Sequence, residues 1–188
     1  LASILFIKGR SDTAKNILYK AIELNPNYLK PYSNLASIYV GEGDFKEAEV
    51  LLRKSVGINS KDVNTLVNLG CVLKDLGKPK EAEKFLRNAL KINPTYEIVL
   101  TNLGSVLNEL EKIEEGERYL RKALNINPAS PMALNNLGNI LSKKKNNSEA
   151  EFCYRKAIEI KSDFSLAYNN LASLLSKQGK LREAEEFT

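Results

Sequence analysis

One spacing runs through the chain from end to end. Asn34-Leu35-Ala36, Asn68-Leu69-Gly70, Asn102-Leu103-Gly104, Asn136-Leu137-Gly138 and Asn170-Leu171-Ala172 recur every 34 residues, with no insertion or deletion. A fixed period of this length marks a repeat architecture, whose units cannot bury their apolar faces alone and must stack on their neighbours. Further columns keep the same period. Ala14, Ala48, Ala82, Ala150 and Ala184 form one, with Gly116 in the fourth repeat. Ala21, Ser55, Ala89, Ala123 and Ala157 form another, and Pro26, Pro94 and Pro128 a third, with Ser60 and Ser162 replacing the proline. The repeats are 1–28 (partial), 29–62, 63–96, 97–130, 131–164 and 165–188 (partial), read as a single array over 1–188.

Within 63–96, Leu66, Leu69, Val72, Leu73 and Leu76 follow helical spacing, and Gly77 interrupts it. Ala82, Phe85, Leu86, Ala89, Leu90 and Ile92 then resume it, which predicts two helices joined by a tight turn. Gly9, Gly43, Gly77 and Gly179 occupy that turn, where a left-handed residue ends a helix at little steric cost. Glu111 and Lys145 stand there in two repeats, so those turns are expected to be strained or to take a slightly different path. Pro79 suits the first helical position, and the prolines at 26, 94 and 128 close the second helix. The small residues at 70, 104 and 138 and in the alanine columns let helices cross about 8 to 10 Å apart. Aromatic residues make up only 7% and Trp is absent, so leucine-rich helices, not aromatic strands, build the core.

This pattern of Leu, Gly or Ala, then Ala, an aromatic residue or Leu, Ala and Pro at a period of 34 resembles the tetratricopeptide repeat across essentially the whole chain. The aromatic residue usual near the start of the first helix is present as Tyr32 and Tyr168 but is Leu at 66, 100 and 134. The resemblance implies an all-α, right-handed α–α superhelix (a solenoid) of helix-turn-helix units, with a concave face lined by first helices. It also implies a scaffold for another polypeptide and not an enzyme.

The residues carry no catalytic constellation. His is absent, which removes the commonest general base and metal ligand. Gly41-Glu42-Gly43-Asp44 falls in an inter-helix turn and lacks the Lys and Ser or Thr of a phosphate loop. The carboxylates around Glu109, Glu111, Glu114, Glu115 and Glu117 lack cation-loop spacing and read as a solvated acidic turn. No metal site or cofactor is expected. Glu49 and Arg53, Glu83 and Arg87, Glu117 and Arg121, and Glu151 and Arg155 are i, i+4 pairs that support the second helices and keep the outer face soluble.

The charge of +5 is spread evenly, and Lys143-Lys144-Lys145 falls at a helix C-terminus, where cations complement the helix dipole. Neither nucleic acid nor a membrane is expected as a partner. Cys71 and Cys153 have no metal or redox spacing and read as free thiols of a reducing, cytoplasmic compartment. The apolar opening Leu1–Ile7 is too short to span a bilayer and reads as a helix cut mid-course, in a piece of a longer protein. Both ends then expose apolar faces, which leaves self-association through the end repeats open.

The candidate site lies on the first helices. Asn34, Asn68, Asn102, Asn136 and Asn170 occupy the same register, although Asn is a mediocre helix former. By resemblance they face the groove, like the asparagine ladder in the tetratricopeptide superhelix of O-linked N-acetylglucosamine transferase. An amide can pair with both the C=O and the N–H of a bound peptide. First helices about 10 Å apart would place one Asn per three residues of an extended ligand. The alternative is that these amides satisfy backbone groups between helices.

Flanking positions predicted to line the groove are Ser37, Cys71, Ser105, Asn139 and Ser173 one turn on, and Ser33, Val67, Thr101, Asn135 and Asn169 just before. Lys30, Asn64, Ile98, Met132 and Leu166 stand at the helix starts. So small and nearly uncharged a lining favours recognition of peptide backbone over a charged terminus. Two functions fit: a scaffold for an extended peptide, or the substrate-recruiting region of a larger modifying enzyme such as a glycosyltransferase.

Overall fold

The computed structural model describes residues 11–185 and 187. Leu1–Ile7 and the turn residue Gly9 lie outside them. The described residues are all-α, in eleven helices. They form two compact units, 1–94 and 95–188.

The N-terminal unit holds α1 (Ser11–Leu24), α2 (Leu29–Gly41), α3 (Phe45–Ile58), α4 (Val63–Asp75) and α5 (Pro79–Ile92). The C-terminal unit holds α6 (Glu97–Glu109), α7 (Ile113–Ile126), α8 (Pro131–Lys143), α9 (Asn147–Ile160), α10 (Ser165–Lys177) and α11 (Leu181–Glu185). In each unit consecutive helices pack on one another, and in the C-terminal unit α6 also packs on α8 and α8 on α10.

Local chemistry fixes where the helices begin and end. Asp44 and Asp62 cap α3 and α4 by accepting from the N–H groups of Glu47 and Thr65, and Ser130 caps α8 through Ala133. Each first helix ends in the same turn. The N–H groups of Asp44, Lys78, Lys112, Asn146 and Lys180 bond the carbonyls of Tyr39, Leu73, Leu107, Leu141 and Leu175 at 2.8 to 3.0 Å. This closure requires a left-handed residue one position earlier. Gly43, Gly77 and Gly179 meet it with φ of 80°, 71° and 78°, and Glu111 and Lys145 adopt it at 57° and 60°. The two non-glycine turns therefore follow the same path as the others and differ only in bearing the strain of a side chain there.

The core comes from the repeating columns. Leu35, Leu52, Leu69 and Leu86 in one unit and Leu103, Leu120 and Leu171 in the other are buried, each worth roughly 1.5 to 3 kcal/mol. Gly70, Gly104 and Gly138 mark the closest crossings. A Cβ at these positions would lie 2.7 Å from Leu86 Cγ, 2.5 Å from Leu120 Cγ and 2.5 Å from Tyr154 Cε1. Gly116 crosses as closely, its would-be Cβ 3.1 Å from the Gly104 carbonyl oxygen.

The Glu–Arg pairs form as the spacing predicts, at 2.8 Å for Glu49–Arg53, 2.7 Å for Glu83–Arg87 and 2.9 Å for both Glu117–Arg121 and Glu151–Arg155. They do more than support single helices. Lys78 joins Glu49 at 2.7 Å, Lys144 joins Glu117 at 2.8 Å and Lys180 joins Glu151 at 3.3 Å, so these three carboxylates also bind a cation of the following repeat. The Lys144 and Arg121 bonds hold the Glu117 carboxyl below the usual glutamate range against the opposing effect of partial burial.

Candidate peptide-binding face

The first helices present one row of side chains to solvent in each unit. Asn34 on α2 is half-buried and Asn68 on α4 exposed, while Asn102, Asn136 and Asn170 on α6, α8 and α10 are half-buried. None of the five is bonded to a backbone group among the described residues. Asn34, Asn68, Asn102 and Asn136 have no side-chain partner there at all. Asn170 is the exception, since its Nδ2 donates to Asn135 Oδ1 at 2.9 Å.

The positions just before the row divide. Asn135 does not line an open surface: it is 3% exposed, as Thr101 is 4% and Val67 6%, because a residue one step back turns about 100° around the helix and faces a neighbour. Ser33 is half-buried and reaches Ser55 and Thr65 at 3.4 Å, in a hydroxyl cluster anchored where Thr65 Oγ1 donates to Asp62 at 2.5 Å. In the C-terminal unit Glu97 plays the corresponding part, accepting from Thr101 at 2.8 Å and Ser130 at 2.7 Å. Asn169 on α10 is exposed.

One turn further along, Ser37 and Ser173 are exposed and Cys71, Ser105 and Asn139 half-buried. Ser37 Oγ donates back to the Ser33 carbonyl at 3.0 Å, and Asn139 Oδ1 accepts from Tyr154 OH at 2.8 Å. Burial raises the Cys71 thiol above its ordinary value, so it stays protonated and is a poor nucleophile. Burial likewise pushes the Tyr154 phenol up, leaving it a hydrogen-bond donor.

Each unit has a recess on this face. In the N-terminal unit a pocket of about 160 Å³ lies between α2 and α4, walled by Ala36, Val40, Leu52 and Val72, with Asn68 and Asp75 at its rim. In the C-terminal unit a recess of about 290 Å³ is lined mainly by polar groups, among them Asn108, Asn139, Asn170 and Ser173, and by Lys143 and Lys177. The two lysines are absent from the groove predicted from sequence. They are legible in retrospect as the column Gly41, Asp75, Glu109, Lys143, Lys177, which changes sign along the chain.

Tetratricopeptide repeat family models match residues 5–67, 63–96, 99–130, 131–164 and 153–186. The chain belongs to the tetratricopeptide repeat family. As in that family generally, it is a protein-interaction scaffold. Among solved structures it is similar to YrrB, described as a tetratricopeptide protein with an unusual peptide-binding site, at 25% identity over 89% of this chain and 87% of that one, TM-score 0.70. It has the fold of Pseudomonas aeruginosa PilF, at 23% identity over 99% of this chain and 85% of that one, TM-score 0.80. A tetratricopeptide protein of Parabacteroides merdae gives a TM-score of 0.81 at 21% identity, over 99% of this chain and 74% of that one. No curated protein matches. Among the described residues no helix is long and apolar enough to cross a membrane, and no cluster of His, Cys, Asp and Glu could hold a metal ion.

Proposed function

We propose that the chain holds an extended peptide segment against the Asn-bearing face of its first helices, without chemistry of its own. The observation that carries this reading is the state of Asn34, Asn68, Asn102 and Asn136. All four are accessible, on one helix register, and have no partner among the described residues. An accessible amide spends nothing on internal structure and keeps both a donor and an acceptor for a peptide bond. The similarity to YrrB, whose description includes peptide binding, supports the same class of ligand. The cellular setting most consistent with two unpaired thiols is the cytoplasm.

The test is a pair of measurements on Asn102→Ala/Asn136→Ala. Peptides selected on the parent from a random display library should bind the double variant at least about tenfold more weakly, while stability stays within about 0.5 kcal/mol, as for ordinary surface changes. Unchanged affinity would sink the ladder as a binding element. A loss of about 1 to 3 kcal/mol in stability would instead assign the amides to internal hydrogen bonding.

A further inference from the structure

We infer that the C-terminal unit selects an acidic side chain on its bound segment, seated in the recess flanked by Lys143 and Lys177. This rests on the peptide-binding reading above and names the ligand's chemistry.

The recess is set up for an anion. No carboxylate lines it. Lys177, in the last turn of α10, is exposed and has no partner among the described residues. Lys143 is shared with the Asn108 carbonyl at 3.1 Å and with the exposed Glu111 at 3.0 Å, so Lys177 supplies the unmatched charge. Neutral donors are free as well. The Ser142 and Ser173 hydroxyls have no partner among the described residues, and Tyr154, by donating to Asn139 Oδ1, leaves the Asn139 Nδ2 hydrogens unused. A carboxylate accepts several such bonds at once, and charge-assisted ones are the strong kind. Asn108 Oδ1 is the one buried side-chain oxygen or nitrogen without a hydrogen-bond partner among the described residues, and it too lines the recess.

Position along the helix decides between an acidic side chain and a peptide C-terminus. Lys143 and Lys177 stand seven residues beyond Asn136 and Asn170, about 10 Å further along the helix axis. A main chain lying on the amide row cannot bring its terminal carboxylate there without leaving the row, whereas an Asp or Glu side chain reaches sideways to meet a lysine. On the opposite side of the row, one turn earlier, stand Ile98, Met132 and Leu166, exposed at 45%, 46% and 52%. An extended segment projects successive side chains to opposite sides. The residue next to the acid therefore falls on an apolar strip, and the ligand is a segment in which acidic and apolar residues alternate.

The experiment uses random peptides, amide-capped and with a free C-terminus in parallel, selected on the full chain, followed by titration calorimetry. Selected peptides should share an Asp or Glu at one position beside an apolar residue. Changing that acid to its amide should weaken binding about tenfold. Lys177→Gln, which breaks no contact among the described residues, should abolish the difference between acid and amide, and Lys177→Glu should invert it toward a basic ligand residue. Binders without an acidic preference that still depend on Asn102 and Asn136 would overturn this inference alone. So would an acidic preference that survives Lys177→Gln, or binding that demands a free C-terminus. Failure to retain any peptide would overturn it together with the peptide-binding function.

Discussion

The two units carry the same first-helix register and offer different surfaces on it. In the N-terminal unit the recess is small and walled by aliphatic side chains, with Asp75 at its edge. In the C-terminal unit it is larger, polar and flanked by lysines. The difference lies in three columns. Leu52, Leu86 and Leu120 give way to Tyr154, Cys71 and Ser105 to Asn139, and Asp75 and Glu109 to Lys143 and Lys177, so the change sets in within the C-terminal unit, from residue 131 onward. Columns that set helix crossing barely change, since Gly70 and Gly138 do the same work in both units. One set of positions keeps the repeats stackable while another varies without disturbing it, and ligand preference belongs to the second set.

The largest expected effect breaks the apparent equivalence of the crossing glycines. Gly138→Ala drives a methyl into the face of the rigid Tyr154 ring, whose hydroxyl is tied to Asn139, and should cost about 2 kcal/mol by thermal denaturation. Gly70→Ala meets only the branched end of Leu86, the arrangement that Ala36 and Leu52 already occupy one repeat earlier. The helix-propensity gain of about 1 kcal/mol should leave it neutral or better. Equal losses would show that the tyrosine does not distinguish the two crossings.

A smaller effect separates the ladder residues. Asn170→Ala strips the donor from buried Asn135 and should destabilise by about 1 to 3 kcal/mol, whereas Asn68→Ala, with no partner to orphan among the described residues, should lie within about 0.5 kcal/mol. Chemical denaturation of the two variants side by side measures this.

The smallest concerns the turns. Lys145→Gly relieves a left-handed residue without removing a contact among the described residues, and should raise stability by up to about 1 kcal/mol, while Gly77→Lys should lower it by a similar amount. A melting temperature unmoved by either would mean the turn is not strained.

The fold was legible because each of its causes repeats. Leucine and glycine columns, turn glycines and capping residues appear in several copies, so a reader of the sequence sees the same physical requirement met again and again. The candidate face was legible in part, since equal register on successive first helices aligns Asn34 with Asn68 in one unit, and Asn102, Asn136 and Asn170 in the other. Asn135 departs from its sequence reading because a polar residue beside the row resembles a groove residue, and only the fold shows the neighbouring helix that covers it. Lys143 carries no binding signal in the sequence because a cation at a helix C-terminus already has a local explanation, and Lys177 carries none because it stands alone. Only the three-dimensional recess shows that they share a surface.

The carboxylates clasped from two sides have a mechanical consequence. Glu49, Glu117 and Glu151 each hold an arginine of their own helix and a lysine of the next repeat, along the second-helix edge of a unit. Such links act as ligaments beside the apolar joints: the joints set the resting angle between repeats, and the ligaments add resistance to splaying. Their tension is electrostatic, and because the carboxylates are largely buried at contact distance from their cations, salt screens it less than it screens an exposed pair. Within each unit they brace neighbouring repeats against one another from the outer edge, and the brace persists over the range of ionic strength that dissolves exposed pairs.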